Sequence, residues 1–120
     1  MHETSIAQRM VDMALEVADQ NGGGRVLGMR LLLGEMTCVE PETLSFAFDV
    51  IGRGTRVGGC KLEIVRMATR LRCHACGAER GGELLDPCVC GLPGGEVLAG
   101  RELRVDTIDV EDDVPAGDQG

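Results

Sequence analysis

The sequence predicts an α+β fold: a small two-layer mixed domain, a three-stranded sheet with two helices, carrying an inserted cysteine knuckle. Three observations predict it. Two segments repeat apolar residues at three- and four-residue spacing, as amphipathic helices do. Three other segments alternate at period two, as strands do. Four cysteines fall in two close pairs between the second and third of those strands.

The first helix runs from Thr4 to about Asp19, with Ile6, Met10, Met13, Ala14 and Val17 on one stripe. Thr4 or Ser5 is placed to cap it, because a hydroxyl can accept an orphan backbone N–H. Asn21-Gly22-Gly23-Gly24 ends it. The first strand covers Arg25 to Gly34, with Leu27, Met29, Leu31 and Leu33 on one face and Val26 and Leu32 on the other. Two apolar faces predict burial on both sides, with Arg30 the exception. Glu40-Pro41-Glu42 opens the second helix, since proline fits a first turn. Its stripe is Leu44, Ala47, Phe48 and Ile51, and Gly52-Arg53-Gly54 stops it.

Lys61 to Arg72 reads as the second strand. Leu62 and Ile64 alternate, then Val65, Met67, Thr69 and Leu71 alternate in the opposite phase, which predicts a bulge. Arg101 to Val110 reads as the third strand and slips phase as well, between Val105 and Ile108. The two slipped strands are therefore expected to be partners. The expected organisation is a domain of residues 1–71 plus 96–111, a cysteine domain of residues 72–95, and a disordered acidic tail of residues 112–120.

Composition narrows the function. The chain has 120 residues, 43% apolar and 27% charged, the profile of a globular domain. Phe46 and Phe48 are its only Phe, Tyr or Trp residues, so the core is aliphatic and a metal clip would help a chain this small. A net charge of −8 opposes a nucleic-acid or anionic-membrane partner, because either needs a basic footprint. Glu3, Asp12 and Glu16 interrupt anything resembling a signal peptide, and no stretch reaches membrane-span length. A cytoplasmic location is expected, where cysteines serve as metal ligands more often than as disulfides.

Cys73-x-x-Cys76-Gly77 and Cys88-x-Cys90-Gly91 can supply four thiolates to a tetrahedral zinc ion, making the insert a zinc knuckle. A closed four-thiolate shell has no open position and is structural, not catalytic. His74 could replace one thiolate, but its place between two ligands points it outward. A redox Cys-x-x-Cys pair lacks a thioredoxin-like βαβ context. Cys38 and Cys60 read as small hydrophobes near strand ends, with a further role left open for Cys38, two residues before Glu40.

The amino terminus, Met1-His2-Glu3, offers different chemistry. A bulky second residue favours retention of Met1. The α-amine, the His2 amide nitrogen and the His2 imidazole can then close two fused chelate rings around one ion, and Glu3 can complete a four-coordinate plane. Nitrogen-rich planar sites favour Ni²⁺ or Cu²⁺, and their affinity falls as protons compete at lower pH.

Met1-His2-Glu3, Gly34-Glu35, "VEPETLSFAFDV" at 39–50, Cys-x-x-Cys-Gly, a second Cys-Gly pair and "GRELRVDTIDVE" at 100–111 occur in this order. Together they resemble the HypA/HybF family of nickel metallochaperones over nearly the whole chain. The resemblance implies a mixed α/β domain that binds Ni(II) at its terminus through His2, with Met1 and Glu3 assisting and Glu40 contributing. It implies structural Zn(II) on Cys73, Cys76, Cys88 and Cys90. It also implies delivery of nickel to the large subunit of [NiFe]-hydrogenase with a HypB-type GTPase, and no enzymatic activity. Homodimerisation stays open. The chain departs from the family at Cys88-Val89-Cys90, where a second Cys-x-x-Cys is usual and Pro87 stands at the first cysteine's place.

Two other readings compete. A zinc-ribbon adaptor in a protein assembly explains the cysteines and the acidic surface and leaves His2 idle. A metal-dependent hydrolase has little support: there are two histidines, and Gly22-Gly23-Gly24 lacks the Lys-Ser/Thr of a phosphate loop.

Overall fold

The first helix starts where the backbone leaves the extended region. In the computed structural model, which describes residues 2–84 and 86–111, His2 has φ −86° and ψ 136° and helix α1 spans Glu3–Gln20. The His2 carbonyl accepts the Ser5 and Ile6 N–H groups at 3.1 and 3.2 Å, and no side chain caps the end. Thr4 and Ser5 thus lie inside the first turn instead of capping it. At the other end the Asn21 amide donates to the Val17 carbonyl at 2.7 Å, and Gly22 and Gly23 take positive φ values of 100° and 80°. The chain continues through β1 (Val26–Gly34), a 3₁₀ turn (Glu35–Thr37), α2 (Pro41–Gly52), β2 (Lys61–Met67), β3 (Arg70–Arg72), β4 (Glu79–Arg80), β5 (Glu96–Ala99) and β6 (Leu103–Val110). It divides into two compact units. One holds the chain up to Leu31, Val39–Ile64 and the chain from Val105; the other holds Leu32–Cys38 and Val65–Arg104.

In the first unit α1 packs against α2. The buried residues of α1 are Ile6, Ala7, Met10, Val11, Ala14 and Ala18, while Met13 is 45% exposed. Ile6, Met10 and Ala14 of the expected stripe are buried, and the small residues Ala7 and Ala18 join them with Val11 where Met13 was expected. Hydropathy alone ranks Met13 above the alanines. Helix α2 buries Leu44, Phe48 and Gly52. Its cap is Glu40, whose carboxylate accepts the Glu42 N–H at 3.0 Å, with Pro41 in the first turn.

The sheet order is β2-β1-β6. The two slipped segments therefore flank β1 on opposite sides and are not partners. Strand β1 buries Val26, Met29, Leu31 and Leu33, but Leu27 is 54% exposed. Strict period-two alternation fails at its head, where Val26 and Met29 are both buried although an odd number of positions separates them.

The Lys61–Arg72 segment is not one bulged strand. It breaks after Met67, and β3 belongs to a second sheet of order β4-β3-β5 within the second unit. The phase change itself falls inside β2, where the adjacent Ile64 and Val65 are both half-buried, ahead of the break. At the break Thr69 is 5% exposed and its N–H is donated to the Glu35 carboxylate at 3.1 Å. Strand β3 pairs antiparallel with β4, Leu71 opposite Arg80, and with β5, Leu71 opposite Val97, and a register shift falls between Arg70 and Leu71. Leu71 is fully buried. On the open face Arg70 and Arg72 both pair with Glu79, and Arg72 reaches Glu96 at 3.5 Å. These contacts, Arg70 first and then Arg72, hold the Glu79 carboxyl below its usual range. Gly34 is required by close approach: a Cβ there would collide with the Gly100 carbonyl. Among the described residues no helix is long and apolar enough to cross a membrane.

Candidate metal centres

The second unit presents its cysteines on two tight turns. The first follows β3. The Cys73 N–H donates to the Ala78 carbonyl at 2.9 Å, and the Gly77 N–H returns to the Cys73 carbonyl at 2.9 Å. The second is a hairpin closed by a bridge between Pro87 and Pro93. There the Cys88 N–H donates to the Leu92 carbonyl at 2.9 Å, and the Gly91 N–H donates to the Cys88 carbonyl at 2.8 Å. Gly77 and Gly91 take φ values of 78° and 91°, where a side chain would be strained. The missing residue of Cys88-Val89-Cys90 is absorbed by a shorter return: glycine reaches back three positions to the cysteine carbonyl instead of four. The intervening Val89 is left 94% exposed.

The four sulfurs converge. Their Sγ atoms all lie within 4.8 Å of one another. Two of these distances span the two turns: Cys76 to Cys88 at 3.5 Å and Cys73 to Cys90 at 3.7 Å. A tetrahedron with metal–sulfur bonds of about 2.3 Å has sulfur–sulfur edges of about 3.8 Å, so the cluster has the size of a zinc shell. Cys73 and Cys88 are buried, and Cys76 and Cys90 are exposed. The Cys76 and Ala75 N–H groups hold the Cys73 thiol down, to about 6. At Cys76 the Ala78 N–H favours the thiolate, but the Cys88 sulfur, burial, Cys73 and Cys90 push the thiol up, to about 11. The surroundings thus favour the thiolate at Cys73 and the thiol at Cys76. His74 is exposed, outside the sulfur cluster.

Cys38 is not a packed hydrophobe. It is exposed, with φ 60° in the left-handed region and its sulfur 3.9 Å from the Met36 carbonyl. Cys60 is half-buried, and burial followed by Asp109 pushes its thiol up. Neither belongs to the sulfur cluster.

At the amino terminus Met1 lies outside the described residues, as does the 112–120 tail. His2 is exposed at the cap of α1. Glu3 and Glu40 are brought together: the Glu40 N–H donates to Glu3 Oε2 at 3.0 Å, tying the start of α1 to the cap of α2. That bond, and then Glu3's own N–H, hold the Glu3 carboxyl below its usual range. A contact spanning 37 positions between a backbone N–H and a carboxylate has no sequence signature. Among the described residues the four cysteines form the cluster of three or more metal-ligating side chains, and His2 with Glu3 and Glu40 does not form another.

A family model described as hydrogenase/urease nickel incorporation, metallochaperone, hypA matches residues 1–110. The hydrogenase maturation factor HypA of Geobacter metallireducens is 40% identical over 115 residues, spanning 92% of this chain and 100% of that protein. Its counterpart from Chlorobaculum tepidum is 38% identical over 113 residues, again 92% of this chain and 100% of that protein. The solution structure of the Ni metallochaperone HypA from Helicobacter pylori shares the fold, with a TM-score of 0.65 at 21% identity over 94% of this chain and 100% of that one. A second solution structure, of a HypA protein, gives 0.68 at 22% identity, covering 92% of this chain and 96% of that one. With one model covering all but the tail and relatives aligned end to end, the chain belongs to the HypA family of hydrogenase maturation factors, which are nickel-incorporation metallochaperones and not enzymes.

Proposed function

We propose that this chain carries one Ni²⁺ at its amino terminus and delivers it to the large subunit of [NiFe]-hydrogenase during maturation, while Cys73, Cys76, Cys88 and Cys90 hold a structural Zn²⁺. The observation that carries the nickel reading is the position of His2. It caps α1 in an exposed place, and the helix behind it is rooted in the core by Ile6 and Ala7. The first N–H groups of a helix have no intrahelical acceptor. The amide nitrogens of His2 and Glu3 can therefore lose a proton to a metal without unpicking the helix. With the Met1 α-amine and the His2 imidazole they make the nitrogen-rich plane that Ni²⁺ favours. Amidate charge at that place also suits the positive end of the helix dipole.

Glu3 and Glu40 supply negative charge beside the chelate, and their mutual hydrogen bond fixes where the terminus leaves the fold. Such a site suits a carrier because an acceptor can displace its exposed ligands one at a time. The zinc shell is closed by protein and serves the fold. A HypB-type GTPase fits as the partner in delivery, and the cytoplasm as the compartment. No helix in the described residues is of membrane-crossing type.

Equilibrium dialysis of the full chain against Ni²⁺ tests the proposal. The expected result is one tightly held zinc and one exchangeable nickel per chain. One zinc and no nickel would support a zinc-ribbon adaptor instead.

A further inference from the structure

We infer that Arg80 is the positioning residue of the cysteine centre: its guanidinium fork locks the two cysteine turns in register. The inference rests on the metal reading of the four cysteines. Arg80 ends β4, the return strand of the first turn. Its Nη1 donates to the carbonyls of Gly81 and Glu83 at 3.3 and 3.1 Å, and its Nη2 donates to those of Leu84 and Gly94, each at 3.4 Å. Leu84 and Gly94 are the base of the hairpin that carries Cys88 and Cys90, and the Gly94 N–H closes that base on the Leu84 carbonyl at 3.0 Å. One side chain thus grips the chain on both sides of the second cysteine pair from the strand that completes the first.

Sulfur contacts that span the two turns give this grip its consequence. Cys76–Cys88 and Cys73–Cys90 are contacts between the two turns, not within them. Each turn sets its own pair by its own backbone bonds, and those bonds say nothing about how the pairs face one another. The Arg80 fork ties the base of one to the end of the other. Its Nε is buried and, among the described residues, has no acceptor. Leaving a buried donor unpaired is costly, and the structure tolerates it while the two terminal nitrogens engage four carbonyls. A lysine places one compact ammonium where arginine places a planar fork, so the charge alone cannot reproduce this arrangement.

The test loads Co²⁺ in place of zinc into the full chain and into Arg80→Met and Arg80→Lys. It reads the thiolate-to-cobalt charge transfer, the d–d bands and the loss of metal to a chelator. Groups that orient metal ligands typically contribute about 10–100-fold to affinity. Both variants are expected to bind one Co²⁺ with affinity lowered by about that factor and with d–d bands altered from the tetrahedral pattern. Native d–d bands and affinity in Arg80→Met would overturn the inference, as would full rescue by Arg80→Lys. A purely structural Arg80 would reduce amide protection across β3–β5 while leaving the loaded spectrum native, and that also counts against it. If Arg80→Met leaves the second unit unfolded, Arg80→Lys decides by the same readings. Absence of thiolate-to-cobalt charge transfer in the unaltered chain would instead refute the metal reading itself.

Discussion

Replacing Cys88 with serine is expected to release the structural metal and unfold the second unit while α1 and α2 stay folded. The second unit has little else to hold it. Among the described residues its fully buried large side chains are Leu33 and Leu71, and two of its other buried residues are Cys73 and Cys88 themselves. Its strands are short: β3 has 3 residues, β4 has 2 and β5 has 4. The pairs of Arg70 and Arg72 with Glu79 and Glu96 are exposed and screened by solvent, so they add little. Against this, zinc binding to a four-ligand site contributes on the order of 10 kcal/mol of folding free energy. Serine removes a thiolate at a position that is only 5% exposed, where water cannot easily stand in. Metal analysis is expected to fall from one zinc to none. Amide exchange is expected to lose protection across β3–β5 and keep it in α1. Retention of one zinc with native protection would contradict this account of the unit.

Replacing His2 with glutamine is expected to abolish nickel binding and leave the fold unchanged. The two outcomes separate because the His2 carbonyl accepts the first helical N–H groups, while its side chain makes no capping bond. Glutamine keeps that carbonyl and loses the imidazole. Nickel titration by calorimetry should show no specific binding in the variant, while helical circular dichroism and zinc content match the unaltered chain. In the unaltered chain nickel affinity should fall as pH drops, because the amine, the imidazole and the amide nitrogens must each lose a proton to bind. A variant that still binds one Ni²⁺ with native affinity would remove His2 from the site.

Much of the fold was legible because local chemistry declares it. The glycines after Asn21, the proline after Glu40 and the apolar periodicities locate α1, β1, α2 and β6 to within two residues of where they fall. Where the reading failed, the deciding contact was remote. Met13 was favoured over Ala18 because a sequence shows hydropathy and not the distance between packed helices. Lys61–Arg72 looked like one strand because both its halves alternate. That they belong to different sheets is decided by their partners, β1 for β2 and β4 with β5 for β3, which lie elsewhere in the chain. Strands of two and four residues, β4 and β5, are too short for a period to show.

The candidate sites divide along the same line. The four cysteines were visible as ligands because metal binding needs particular residue types at short spacing. The structure adds that the shorter Cys88-Val89-Cys90 spacing still reaches the others, through a tighter glycine return. Glu40 entered through family resemblance alone, and its bond to Glu3 is made by a backbone N–H, which every residue but proline carries. Arg80 gave no signal at all, since its acceptors are backbone carbonyls and no motif records them.

A nickel site built on the free amine ahead of His2 cannot survive extension of the chain at that end. Nickel and zinc contents are determined after equilibration with Ni²⁺ for the chain beginning at Met1 and for the same chain extended by two residues before Met1. The extension converts the α-amine to an amide and leaves every side chain in place. One nickel per chain is expected without the extension, essentially none with it, and one zinc in both. Equal nickel in the two forms would contradict a site built on that amine.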